Sequence, residues 1–261
     1  MKQDAIDSLN IAAKACHLRL FLDYDGTLAD FAPAPDVLLP DMELISLMKR
    51  LVNSKGILPA IISGRKLQHI EKLLPVQGLM LAGTYGLEIK LPNDQYWSAL
   101  DYQQIRPIIE RIFPLWNKLV ENNANFHLED KGWSIALHGR FASDTEVDKV
   151  MSTAHQLVED LQPDARFRFF EGDRFLEYAP LAASKKTAAK WILDCQTPKD
   201  AIAVYIGDDD KDEDAFDIAI KSGGYAVLVS ESARQTRAQV CLKNPTETRF
   251  WLNKLISLRC A

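Results

Sequence analysis

Five short apolar runs, each stopping abruptly at a glycine, aspartate or serine, constrain the fold of this 261-residue chain more than any other feature. They are Leu18–Leu22 before DYDG, Ile57–Ile62 before SGR, 79–82 before GTYG, 201–206 before GDDD, and Tyr225–Val229 before a serine. A strand shielded on both faces has no solvent side to alternate with, so it reads as an unbroken apolar run. Helical stretches at 41–53, 66–74 and 185–195 fall between these runs. Strand alternating with helix predicts an α/β fold with a doubly wound, Rossmann-like parallel sheet.

The middle of the chain follows another pattern. Segments 101–122 and 143–161 have helical apolar periodicity; in the second, Val147, Val150, Met151, Ala154, Leu157, Val158 and Leu161 form one stripe. Between the two helices, NFHLEDKGWSIALHGR alternates apolar with polar residues, which predicts a small sheet with one face packed on helices and one face polar. The expected organisation is a smaller α/β cap domain at 103–180 inserted into a core domain made of 1–102 and 181–261. A chain that is 47% hydrophobic can fill two such cores.

A formal charge of −5 with no local run of Lys and Arg leaves no electrostatic footprint for nucleic acid. No segment is long and apolar enough for a bilayer, and the first sixteen residues lack the apolar centre of a signal peptide. Cys16, Cys195, Cys241 and Cys260 stand far apart without a CxxC pair, as reduced thiols do. The expectation is a cytoplasmic monomer.

The motifs at the ends of the runs carry the chemistry. Asp23-Tyr24-Asp25-Gly26-Thr27 puts two carboxylates where open α/β sheets bind ligands, beyond the carboxyl end of a strand. A solvated turn would explain DxDG alone. The second cluster, 207–214, has six acids in eight residues after another buried strand, and such a group repels itself unless a cation holds some of them. A solvated helix start accounts for Asp212 to Asp214 but not for Asp208 at the strand end. Hard oxygen donors beside a phosphate point to Mg²⁺. A phosphoryl group also needs a donor and a positive charge; Ser63 in IISGR and Lys185 at the head of a helix read alone as a turn residue and a surface lysine, and their order and placement relative to the two aspartate clusters make them the candidates. No GxxxxGK[ST] loop occurs, which argues against a kinase or NTPase.

The ordered motifs DYDGT, SGR, a lysine opening a helix and GDDxxDEDAF resemble the haloacid dehalogenase superfamily of phosphohydrolases. More narrowly, DYDGTLADF, AIISGR, LAGTYGLE, HLEDKGWSIALHGR and GDDDKDEDAF resemble trehalose-6-phosphate phosphatases over nearly the whole chain. The resemblance implies Asp23 as nucleophile, Asp25 as general acid and then base, and Ser63 and Lys185 as phosphate holders. It implies Mg²⁺ held by Asp23, the Asp25 carbonyl and Asp208, with Asp209 and Asp212 in or near its second shell. It further implies that Arg65, Gly83, Glu88, Glu129, Lys131, His138 and Arg140 meet a sugar phosphate, best matched by trehalose 6-phosphate, with a trehalose-6-phosphate synthase as candidate partner. Other glycosyl phosphates, such as mannosyl-3-phosphoglycerate or sucrose phosphate, and a non-catalytic phosphosugar sensor are the competing readings. The chain departs from the family pattern at Lys186, Lys211 and Gly139, where Gly, Thr and Tyr are usual.

Overall fold

A computed structural model of the chain describes residues 3–31 and 39–260, the side chains of residues 3, 4, 6, 9 and 260 excepted. Cys260 therefore lies outside the described side chains, while Cys16, Cys195 and Cys241 are free thiols. In chain order the elements are α1 (Gln3–Lys14), β1 (Leu18–Leu22), α2 (Met42–Asn53), β2 (Ile57–Ile62), α3 (Leu67–Leu73), β3 (Met80–Gly83), β4 (Glu88–Lys90) and β5 (Tyr96–Ser98). There follow α4 (Tyr102–Glu121), β6 (His127–Asp130), β7 (Ile135–His138), α5 (Asp144–Glu159), β8 (Phe167–Gly172) and β9 (Phe175–Pro180). The chain then continues through α6 (Lys185–Gln196), β10 (Ile202–Gly207), α7 (Asp210–Lys221), β11 (Tyr225–Val229), β12 (Val240–Leu242) and α8 (Pro245–Cys260).

Two compact units result, one from 1–97 with 184–261 and one from 98–183. In the first, the described strands form a sheet in the order β12-β11-β10-β1-β2-β3-β4-β5. Its pairs from β12 to β3 are parallel, and β4 runs antiparallel to β3. β1 and β11 are buried along their whole length, as their unbroken apolar runs require. One exception sits inside β1. Arg19 is buried, with Nε donating to Thr197 Oγ1 at 2.9 Å and Nη1 to the Leu58 carbonyl at 2.9 Å. Nη2 donates to the Gln196 carbonyl, so the guanidinium ties β1 to the carboxyl end of α6. Burial lowers its pKa to about 10.

One side of the sheet packs Leu44, Leu47, Met48 and Leu51 of α2 with Trp251, Leu252 and Leu255 of α8. The other packs Ala188, Ala189 and Ile192 of α6 with Ala215, Phe216 and Ala219 of α7. Helix α8 also secures α1, through Trp251 Nε1 to the Ala5 carbonyl at 3.2 Å and Arg259 Nη1 to the Ala12 carbonyl at 3.0 Å. The C-terminal stretch thus belongs to the first unit's core.

In the second unit the described strands form a sheet in the order β6-β7-β9-β8. Helix α4 buries Ile105, Ile109, Ile112 and Trp116, and α5 buries Val150, Ala154 and Val158, each set at helical spacing. Trp116 Nε1 donates to the Ala154 carbonyl at 3.0 Å and links the two helices. A reciprocal capping box of Ser143 and Glu146 starts α5. Antiparallel register pairs Glu129 with Ala136 and Ala136 with Glu177, while Leu128 pairs with Leu137 and Leu137 with Leu176. Opposed residues share a face, so one face carries Glu129, Glu177, His127 and His138, while the other carries Leu128, Ile135, Leu137, Leu176 and Tyr178, with Asp130 on it paired to Arg106 of α4.

Candidate active site

Strand pairing brings the two acidic motifs together. Leu22 at the end of β1 lies beside Ile206 near the end of β10, so Asp23 and Asp208 leave neighbouring strands at the same edge. The Asp23 amide donates to the Ile206 carbonyl at 3.0 Å and fixes that exit. Gly26 then turns the chain with φ 77°, and a Cβ there would fall 2.2 Å from Asp208 Oδ2. Only glycine meets both conditions. Thr27 Oγ1 donates to Asp208 Oδ1 at 3.2 Å and holds the two loops in contact.

Asp23, Asp208 and Asp212 each present a carboxylate oxygen within 4.8 Å of the others. Lys185, the first residue of α6, is buried and spans them, with Nζ 2.9 Å from Asp23 Oδ1, 2.8 Å from Asp212 Oδ1 and 3.8 Å from Asp209 Oδ1. Its neighbour Lys186 is exposed. Asp212 is wholly buried: Tyr205 donates its hydroxyl to Oδ1 at 2.9 Å, and the Asp208 and Asp209 amides donate to Oδ2 at 3.2 and 3.3 Å. Asp209 caps α7, with Oδ1 accepting from the Lys211 amide at 2.9 Å and the Asp212 amide at 3.2 Å.

The electrostatics are those of a cluster short of positive charge. Burial pushes the Asp23 carboxyl well above the usual carboxylate range; Lys185 opposes this, and Asp208 and Asp209 add to it. Burial likewise raises Asp212, and raises Asp208 to about 6. For Lys185, burial favours the neutral amine, but Asp212 and Asp23 outweigh it and hold the ammonium above its ordinary value. Burial also raises Asp209, and there Lys185, a hydrogen bond with Asp212 and Lys211 prevail and lower it. Four carboxylates gathered around the buried Lys185 ammonium, three of them within reach of one another, match the donor set of a hard divalent cation.

Asp25 stands apart from this triad. Its two oxygens accept from Arg65 Nη2 and Nε, both at 2.7 Å, in a half-buried bidentate pair. Ser63 follows β2 and is buried, its Oγ accepting from the Arg65 amide at 3.1 Å. Gly83 ends β3 opposite Glu88 of β4, and a Cβ at Gly83 would fall 2.3 Å from the Leu67 nitrogen, so glycine there allows α3 to approach. Thr84 and Tyr85 both have positive φ, 46° and 58°. For an L-residue each such position costs roughly 1–2 kcal/mol.

The remaining sequence candidates lie in the second unit. Glu129 is buried and 3.0 Å from His138 Nε2 through Oε2. Lys131 is buried too, with Nζ 2.9 Å from Glu177 Oε2, and Ser134 donates its hydroxyl to Glu177 Oε1 at 2.5 Å. Arg140 is exposed. Glu177 escaped the sequence reading; its signal was an acid between Leu176 and Tyr178, in phase with Glu129 once the strands are paired. Tyr205 and Thr27 were also missed, as was Arg234, which donates to the Asp208 carbonyl at 3.2 Å and pairs with Asp210 at 2.5 Å.

Comparison with known proteins is concordant. The family model described as trehalose-phosphatase matches residues 21–245. The chain is 29% identical over 253 residues to the probable trehalose-phosphate phosphatase E of Arabidopsis thaliana, covering 91% of this chain and 69% of that protein. Among solved structures, the C-terminal domain of Candida albicans trehalose-6-phosphate phosphatase superposes with a TM-score of 0.82 at 20% identity, covering 97% and 96% of the two chains. The C-terminal domain of a Candida albicans trehalose synthase regulatory protein superposes with a TM-score of 0.74 at 16% identity, covering 95% and 97%. At those identities the structural likeness speaks to the fold.

Proposed function

The chain belongs to the trehalose-phosphatase family, and from that premise we propose that it hydrolyses trehalose 6-phosphate to trehalose and orthophosphate through Asp23. The observation that carries the reading is the buried Asp23 carboxylate bound to Lys185 within the Asp208–Asp212 cluster. A divalent ion fits those donors: Asp23, Asp208 and the Asp25 carbonyl would hold Mg²⁺, with Asp209 and Asp212 supporting them. Bound Mg²⁺ supplies Lewis-acid neutralisation of charge on phosphoryl oxygens.

The chain's own residues account for the bond changes. Asp23 attacks phosphorus as the bond to the sugar oxygen breaks, and Asp25 gives that oxygen a proton. Water then attacks phosphorus with Asp25 taking its proton, which releases orthophosphate and restores the Asp23 carboxylate. Asp25 reaches these roles by exchanging part of its bidentate contact with Arg65 for the substrate. Ser63 and Lys185 hold the phosphoryl oxygens, and Lys185 offsets the Asp23 charge. The polar sheet face with Glu129, Lys131, His138 and Glu177 offers the mixed donors and acceptors that sugar hydroxyls require, and we assign sugar recognition to it and to Arg140; in the first unit we assign substrate contacts to Arg65, Gly83 and Glu88.

Retention of Asp23, Asp25, Lys185 and Asp208 favours an enzyme over a sensor. No described helix is long and apolar enough to cross a membrane, and the free thiols favour a cytoplasmic setting. A monomer, with a trehalose-6-phosphate synthase as candidate partner, completes the reading. Steady-state kinetics with Mg²⁺ on trehalose 6-phosphate, sucrose phosphate, glucose 6-phosphate and mannosyl-3-phosphoglycerate test it. The expected result is the highest kcat/KM for trehalose 6-phosphate; a higher value for any other sugar rejects the substrate assignment.

A further inference from the structure

Lys211 is out of place by local rules. It is the second residue of α7, whose first turn is otherwise acidic, and a cation there opposes the helix dipole. It is nevertheless half-buried and directed at Tyr85: Nζ donates to the hydroxyl at 3.2 Å and lies 5.2 Å from the ring centroid.

Tyr85 is itself held in an unfavourable conformation, at φ 58° and ψ 24°, between Thr84 at φ 46° and Gly86 at φ 93°. Such backbone persists only where its surroundings over-determine it. Here they do: the Tyr85 amide donates to the Ser63 carbonyl at 2.9 Å and the Thr84 amide to the Arg65 carbonyl at 2.7 Å. The Tyr85 ring also lies against Gly64, where a Cβ would fall 2.7 Å from Cε1. A continuous path therefore runs from the acidic loop through Lys211 and Tyr85 to the Ser63–Arg65 backbone.

We propose that Lys211 and Tyr85 are a positioning pair that fixes the phosphate-holding loop 63–65 against the acidic loop 207–212. The inference rests on the phosphatase reading and adds two residues to it. Neither residue touches the reacting atoms; they act by keeping Ser63 and Lys185 at the separation that orthophosphate needs.

The test is a double-mutant cycle with Lys211→Met, Tyr85→Phe and the combined variant. Orthophosphate binding is measured by titration calorimetry in MgCl₂, with kcat and KM for trehalose 6-phosphate alongside. Each single variant should weaken orthophosphate about tenfold, as loss of a hydrogen bond to a charged group does. The combined variant should be no weaker than the worse single one, because either change breaks the same link. Unchanged orthophosphate affinity in the singles, or losses that multiply in the double, overturns the pair. The calorimetric arm needs no turnover, so it separates a failed pair from a wrong substrate. Wild-type protein that binds no orthophosphate overturns the phosphoryl site and the pair with it.

Discussion

The Asp208 carboxylate is where the account is most exposed at the scale of single residues. Asp208→Asn should weaken Mg²⁺ by more than the roughly 10–100-fold typical of residues that only support a metal ligand. Calorimetric titration of the metal checks this, and an unchanged affinity contradicts it. Lys185→Met leaves Asp23 and Asp212 buried without their shared ammonium. Breaking a buried pair by removing one partner costs about 3–5 kcal/mol, so the metal-free variant should show a markedly lower thermal midpoint. Asp23, Asp25 and Asp208 were legible in the sequence because each stands beside an abrupt end to an apolar run, and Lys185 because it opens a helix. Glu177 and Tyr205 were not, since each lies inside a strand and acquires its partner only when distant segments pair. Sequence alone also left open which of Lys185 and Lys186 turns inward; the buried start of α6 answers it.

Elements carry predictions of their own. Asp41 caps α2, accepting from the Glu43 and Leu44 amides at 2.9 and 3.1 Å, and it binds Arg249 of α8 at 2.5 Å. Burial alone would raise its pKa, but the Leu44 amide and Arg249 outweigh it and lower the value. A carboxyl lowered on folding stabilises the native state above its unfolded pKa and loses that contribution as pH falls through the folded value. Asp41→Ala should therefore cost about 1–2 kcal/mol at neutral pH, by denaturant titration. The gap from wild type should shrink below about pH 4, the ordinary aspartate range, and a gap constant with pH contradicts the assignment. The parallel strands were readable because burial on both faces removes alternation. Strands β4, β5 and β12 are three residues each, too short for any period to register.

At the level of the whole molecule, ligand binding and stability are linked. An ion that binds only the folded chain stabilises it by about 2.7 kcal/mol at a hundred times its dissociation constant. Thermal midpoints should rise with Mg²⁺ concentration in wild type and stay flat in Asp208→Asn; parallel rises in both would place the ion elsewhere. The change of pattern in mid-chain revealed a second unit. The helix at α1 was not legible, because its anchors are distant in sequence: Tyr225, Trp251 and Arg259 donate to the Ser8, Ala5 and Ala12 carbonyls.

Phosphate release from trehalose 6-phosphate by Asp23→Asn, with Mg²⁺ saturating, tests the central claim most directly. The account predicts a fall in kcat of at least about a thousandfold with orthophosphate still bound, since the amide keeps the shape but cannot attack phosphorus. Turnover within tenfold of wild type would contradict it.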